Sequence, residues 1–315
     1  MIRLRDWRVK ALVQDILSAS PGGCRLNDWL QRHVGGLRNF EDNICRKVTD
    51  WCQVSSYLKA VGCKSLTEQT IVEVGSGWYP TLPICFALAG ARRIYTVDLN
   101  RHMNEGMSLR MLRAVEPHLD RIASSCGLPA SEARRRWEVL CTSDNLAQLL
   151  NKANIEYRAP ADARDMGWLD NGCIDLAYSN SVLEHVLPSA LPGIMKELWR
   201  VLRPDGLMLH AVACNDHYTH FDKSVSPINY LRFTERQWRW FNNDLNYQNR
   251  LRPSSFLSAA RDSGFDVIHE ARTLRPRNLD TLQGMRLAPQ FKSFDPEDLA
   301  TTSIDFVSIK RQYAQ

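Results

Sequence analysis

The stretch Ile71-Val72-Glu73-Val74-Gly75-Ser76-Gly77-Trp78-Tyr79-Pro80 constrains the fold of this chain more than any other. An apolar run of strand length enters a turn with two glycines, and Pro80 suits the first turn of a helix that follows. Glycine at 75 and 77 permits positive φ and lets a ligand come close to the main chain. Beyond this unit the chain keeps alternating. Strands are expected at 71–74, 93–97, 155–158, 174–178 and 207–212, with helices near 80–90, 101–117, 131–151 and 190–202. Strands separated by helices pair in parallel through right-handed crossovers, which gives a doubly wound α/β sheet. A helix at 254–263, a strand at 265–270, a long polar connection and a strand at 304–310 complete the pattern.

Residues 1–66 read as helices. Phe40, Ile44, Val48, Trp51, Leu58 and Val61 recur at helical spacing, with Glu41, Arg46, Lys47 and Lys59 on other faces. Asn27 is an expected N-cap and Gly35-Gly36 a helix break. This segment is short, so it is expected to cap an α/β domain over 67–315, with an insertion at about 214–252 forming a lid. Apolar residues make up 44% of the 315-residue chain, enough for a sizeable core. The nine cysteines are scattered, odd in number and without a C-x-x-C pair, which speaks against a disulfide framework and a structural zinc. With no apolar signal core and no long apolar run, the expected setting is cytoplasmic, away from membranes. The formal charge of +5 is spread thinly. Its densest run, Arg134–Arg136, reads as a solvated helix face, so nucleic acid is an unlikely partner.

Asp98 ends the strand after the glycine turn, where a carboxylate can accept both hydroxyls of a ribose. A dinucleotide would want a third glycine at position 80, which holds proline, and Trp78 and Tyr79 would crowd a diphosphate. The sequence instead resembles the class I S-adenosylmethionine-dependent methyltransferases, whose first motif is E-x-G-x-G. Other segments follow in family order: Asp162-Ala163, the run from Asp175 through Ser179 to Leu183-Glu184-His185-Val186, and Glu197 to Gly206 with Asp205 where glycine is commoner. The resemblance implies a Rossmann-like, seven-stranded, mostly parallel sheet with an antiparallel last hairpin, and S-adenosyl-L-methionine as cofactor. It implies that Gly75, Ser76 and Gly77 pass the methionine moiety, that Glu73 acts through the loop or a water, and that Asp98 with Leu99 holds the ribose. Asp162 and Ala163 would contact adenine; Trp78 and Ser179 would complete the cofactor side.

The acceptor's nucleophile must be placed about 3 Å from the methyl, at the carboxyl ends of strands four and five. Tyr178 and Asn180 occupy the first of these ends; His217 and His220 follow the second and are base candidates. His185 reads as a structural histidine. The i, i+3 spacing of His217 and His220 permits a divalent metal without favouring it, and none is expected. If 214–252 is a lid, Tyr230 or Trp238 would exclude water and Arg232 or Arg250 would hold an acidic group. The acceptor is expected to be a small molecule such as a specialised metabolite, sugar or peptide. Competing readings are aminocarboxypropyl transfer or cyclisation of the cofactor with methylthioadenosine release, RNA methylation, and a non-catalytic binding module. Sequence says nothing of oligomeric state.

Overall fold

The structure is a computed structural model that describes residues 6–18, 20, 26 and 39–311, so Asn27 and Gly35-Gly36 lie outside the described residues. Helix α1 spans Trp7–Ser18 and α2 spans Phe40–Ala60. The α/β body then runs β1 (Thr70–Val74), α3 (Thr81–Leu88), β2 (Arg93–Val97), α4 (Glu105–Ala114), α5 (Leu119–Cys126), α6 (Ala130–Cys141), α7 (Leu146–Lys152) and β3 (Ile155–Arg158). It continues with β4 (Ile174–Asn180), α8 (Leu191–Val201), β5 (Leu202–Ala213), α9 (Glu235–Trp238), α10 (Pro253–Asp262) and β6 (Asp266–Leu274). Helices α11 (Pro276–Gln283) and α12 (Pro296–Ala300) precede the last strand, β7 (Thr301–Ile309).

The seven strands form one sheet in the order β3-β2-β1-β4-β5-β7-β6. The first five are parallel; β7 is antiparallel to both β5 and β6. This is the seven-stranded, mostly parallel sheet with an antiparallel last hairpin that the sequence implies. Strand order reverses between β1 and β4, and such a switch point opens a crevice at the carboxyl ends of the strands.

The sheet's two faces are covered by separate apolar layers. One joins Ile71, Leu176 and Tyr178 to Leu82, Phe86, Met111 and the α2 residues Phe40, Ile44, Val48, Trp51 and Leu58. Trp51 meets Phe86 edge-on with centroids 4.9 Å apart, and its indole N–H donates to the Ile122 carbonyl. The helical periodicity of α2 thus buries its apolar stripe in the main core. The other layer packs α8 and α10 against β4, β5 and β7 through Ile194, Leu198, Phe256 and Phe306.

Several boundaries depart from the sequence reading. The helix expected over 131–151 is two helices, because the Asn145 side chain accepts the Gln148 N–H and starts α7 afresh. Strand β5 begins five residues early, with Asp205 at φ +59 and its N–H bonded to the Lys310 carbonyl. Aspartate tolerates this left-handed conformation better than most residues. The connection expected to be merely polar carries α11, α12, Ala288 and Phe291. These join Trp7, Ala11, Tyr218, Tyr230, Leu231 and Trp238 in a third buried cluster. That cluster is the core of the 214–252 insertion.

Arg252 fastens the insertion to the sheet. Its side chain is fully buried, and its guanidinium donates to the carbonyls of Cys214 (3.0 Å), Asp298 (2.8 Å) and Thr301 and to the Tyr230 hydroxyl. Arg252→Met would keep the apolar stem and strand those acceptors. We expect a loss of about 3 kcal/mol or more in unfolding free energy, measured by urea denaturation; a loss under ~1 kcal/mol would show that the anchor is dispensable.

Candidate active site

The crevice is built on a register coincidence. Glu73 on β1 stands opposite Thr96 on β2 and Tyr178 on β4. All three side chains are buried, and the Glu73 carboxylate accepts the Tyr178 hydroxyl at 2.8 Å and the Thr96 hydroxyl on its other oxygen. Thr96 also lies 2.7 Å from Ser76 Oγ, so the buried carboxylate is connected to the glycine loop through two hydroxyls. Burial pushes the Glu73 carboxyl up to about 7 despite these hydrogen bonds.

Above this network the chain turns sharply. Gly75 (φ +89) and Gly77 (φ +62) take left-handed conformations. A Cβ at Gly75 would stand 2.3 Å from Val182, so the close packing of the β1 and β4 turns demands glycine there. A Cβ at Gly77 would meet nothing within 4 Å; its surface is open. The Asp98 carboxylate closes the turn, accepting the N–H groups of Ser76 (3.0 Å) and Gly77 (3.3 Å) on one oxygen and that of Asn100 (3.0 Å) on the other. A carboxylate has about four acceptor positions, so capacity for a sugar hydroxyl remains. Leu99 is 63% exposed beside it. Ala161 N–H bonds the Asp98 carbonyl, bringing Asp162 and the buried Ala163 alongside. The Asp162 carboxylate is paired with Arg164 at 2.6 Å, and Trp78 is half-buried with its ring against His102.

Tyr178 and Ser179 point into the sheet's interior. Tyr178 is held by Glu73, and Ser179 Oγ lies 2.6 Å from His210 Nδ1, with both side chains fully buried. Burial drives His210 down to about 3. Asn180 does reach the strand end, where its amide donates to Asp50 of α2 at 2.9 Å. Just beyond it, Ser181 adopts φ +57 and redirects the chain into a single 3-10 turn, Leu183–His185. A second such turn, His217–His220, follows β5. The His185 and His217 rings are 5.1 Å apart and those of His217 and His220 5.7 Å. Burial and the neighbouring His185, His220 and Lys10 lower His217 to about 3, so it is neutral at ordinary pH.

Lid residues that sequence reading aimed at the acceptor serve the insertion itself. Tyr230 and Trp238 are buried in its core. Arg250 is spent on the Tyr230 and Phe233 carbonyls and on Glu235, while Arg232 is exposed. Conversely, Lys47 and Asp50 of α2, Lys10 of α1 and Glu184 border this region without having been singled out. Lys47 and Asp50 stand on the polar side of α2, where spacing does not set them apart from its other charged residues; Lys10 and Glu184 gave no local signal of their surroundings. The Arg134–Arg136 run is engaged with Glu116 and Glu132, and Arg136 also donates to the Leu88 carbonyl. Among the described residues no helix is long and apolar enough to cross a membrane.

The Glu73 network makes stability pH-dependent. A carboxyl whose pKa is raised by folding favours the fold most below its unfolded value, and that contribution is lost as pH climbs through the folded value. For Glu73 the window runs from about 4.5 to about 7. Glu73→Gln stays neutral, so its stability relative to wild type should rise by on the order of 2–3 kcal/mol across that window. Urea denaturation at several pH values measures this, and parallel curves for the two proteins would contradict it.

Comparison with known proteins agrees with the geometry. Residues 46–270 match a family described as a methyltransferase domain. No curated protein matches the chain. Among solved structures, magnesium protoporphyrin IX methyltransferase from Synechocystis PCC 6803 with bound SAH is 16% identical at a TM-score of 0.47, covering 98% of this chain and 100% of that one. A geranyl diphosphate methyltransferase in complex with SAM is 13% identical at a TM-score of 0.46, covering 86% of this chain and 90% of that one. The family match spans most of the α/β body, the glycine turn and the strand-end turns included: the chain belongs to the methyltransferase-domain family and is an S-adenosylmethionine-dependent methyltransferase.

Proposed function

We propose that this enzyme methylates a small-molecule acceptor held over the carboxyl ends of β4 and β5. The observation that carries the reading is the roof above those ends. Asp50 of α2 binds Asn180, and Tyr57 of α2 donates to Asp305 on β7 at 3.0 Å. Trp7 of α1 packs its ring on Tyr218 and Phe241 of the insertion, and its N–H reaches Asp222. Walls drawn from two helices and a 39-residue insertion (214–252) suit a compact acceptor better than a duplex or a folded protein.

S-adenosylmethionine supplies a methyl on a sulfonium, which a nucleophile displaces in line. The residues present fit it. The open surface over Gly77 leaves room for its amino-acid tail, and Asp98 stands ready for the ribose. Exposed Leu99 offers an apolar face beside Asp162 and Ala163 for the adenine. In this reading Glu73, Tyr178 and Ser179 hold the strand ends in place from beneath, and Trp78 borders the nucleoside through His102. On the acceptor side, Asn180 positions the acceptor and His220 removes a proton when the nucleophile is a hydroxyl; His217, held down to about 3 by burial, is the weaker base. His220 is the more exposed of the two.

Asp98→Ala should weaken cofactor affinity by about 1.5–3 kcal/mol in calorimetry, through a lost charge-assisted ribose contact and a loosened turn; unchanged affinity would remove Asp98 from the site. His220→Ala should slow turnover about 100-fold or more with cofactor affinity retained, while full activity would return the residue to the solvent. The acceptor reading itself is tested with labelled cofactor and small-molecule fractions of a cell extract. S-adenosylhomocysteine together with a labelled compound of low mass is expected. Label confined to RNA or protein, or methylthioadenosine as the product, would overturn it.

A further inference from the structure

Glu184, His185 and His217 come from two separate turns, yet each offers a ligand-type atom within 4.8 Å of the other two. Glu184 is 1% exposed, and neither of its carboxyl oxygens has a well-aligned hydrogen-bond partner among the described residues, only the weaker pull of the Glu184 and Ala213 N–H groups. A carboxyl so buried is costly to ionise unless a cation compensates it. Lys47, whose charge reaches Glu184, is paired instead with Asp50 at 3.6 Å. The histidines are presented as ligands. His185 Nδ1 lies 2.6 Å from the Tyr247 carbonyl, to which it can only donate, so the lone pair is on Nε2. His217 lies beside His185, with the two rings 5.1 Å apart.

The surroundings hold both turns rigidly. Asn249 donates its amide to the Leu183 (2.7 Å) and Val186 (2.9 Å) carbonyls, and its N–H to the Glu184 carbonyl. Gln248 accepts the His217 N–H and donates to the Asn215 carbonyl. Tyr247, Gln248 and Asn249 therefore tie one ligand turn to the other, as outer partners do in metal centres.

We propose that Glu184, His185 and His217 bind a divalent transition-metal ion whose remaining coordination positions take oxygen atoms of the acceptor. Two imidazoles and one carboxylate suit zinc, cobalt, iron(II) or manganese better than the all-oxygen cages of calcium and magnesium. Three protein ligands leave coordination positions open, and His185 is exposed. An acceptor hydroxyl bound there would lose its proton more readily, with the proton passing to His220 or to solvent. The ion site stands on its own geometry; the acceptor half rests on the function proposed above.

Cobalt(II) titration of the full, chelator-treated chain, followed by visible absorption, tests it. One ion per chain is expected, with d–d bands typical of mixed nitrogen and oxygen ligands. His185→Ala and Glu184→Gln should each weaken binding at least 100-fold. Because His185 is exposed, its variant tests the site even if the buried Glu184 variant fails to fold. No binding at millimolar cobalt, or wild-type binding in His185→Ala, overturns the site. Acetohydroxamate, a bidentate oxygen probe, should shift the bands of the cobalt-loaded enzyme; unshifted bands overturn the acceptor half. An enzyme that takes up no cobalt yet forms S-adenosylhomocysteine with extract ends the metal alone, whereas cobalt uptake without low-mass methylation ends the acceptor reading alone.

Discussion

Everything at the end proposed for the cofactor depends on how the backbone N–H groups released at the end of β1 are satisfied. A strand that stops at a switch point leaves donors with no ladder partner, and orphaned buried donors are costly. Asp98 takes those of Ser76 and Gly77, while Val97 O takes that of Gly75 at 2.8 Å. The turn is thus held by β2, the neighbouring strand, rather than by its own residues. Glu73 adds a second tie below, reaching the loop through Thr96 and Ser76. Two carboxylates, one facing solvent and one buried, clamp the same turn from opposite sides. Positive φ at Gly75 and Gly77 makes the clamp sterically feasible, and the absence of side chains leaves the outer surface clear for a ligand.

The end proposed for the acceptor is organised on different lines. No single motif makes it; α1, α2 and the insertion after β5 converge on the ends of β4 and β5. What binds these pieces is mostly apolar. Trp7, Tyr218, Tyr230 and Trp238 share one cluster with residues of the segment before β7, so the roof is continuous with the rest of the fold. Arg252 adds a buried polar rivet between the insertion and the start of β7. A roof with its own core and a buried anchor behaves as a built wall rather than a flap of loose chain.

This difference explains what could be read from the amino-acid sequence. The cofactor side is written locally: Glu73, Gly75, Gly77 and Asp98 fall at fixed offsets on successive strands, so spacing alone brings them together. The parallel part of the sheet was legible from strand-helix alternation, and the antiparallel last hairpin only from the family resemblance. The register facts were not. Nothing in the run around Ser179 says that position 179 meets His210 inside the sheet, or that Tyr178 meets Glu73, because pairing across strands is a tertiary choice. Aromatic residues of the insertion read as pocket-facing because periodicity cannot distinguish a ligand wall from a small independent core. Glu184 and His185 stood inside a recognised motif, yet their relation to His217 needs the turn at Ser181 and the clasp at Asn249, neither visible in spacing. Asp205 shows the reverse case, where an unusual residue at a glycine-type position marked a left-handed backbone that the structure indeed contains.

The central claim is that the turn between β1 and α3, closed by Asp98, is where the cofactor lies, with its reactive carbon directed beneath the α1–α2 roof. A crystal structure of the enzyme with S-adenosylhomocysteine tests that most directly. The account predicts the amino-acid tail over Gly77, the ribose hydroxyls on Asp98, the adenine beside Leu99 and Ala163, and the sulfur turned toward Asn180 and His220. Nucleoside density on another face, or a turn whose N–H groups stay closed off with the ligand elsewhere, would contradict it.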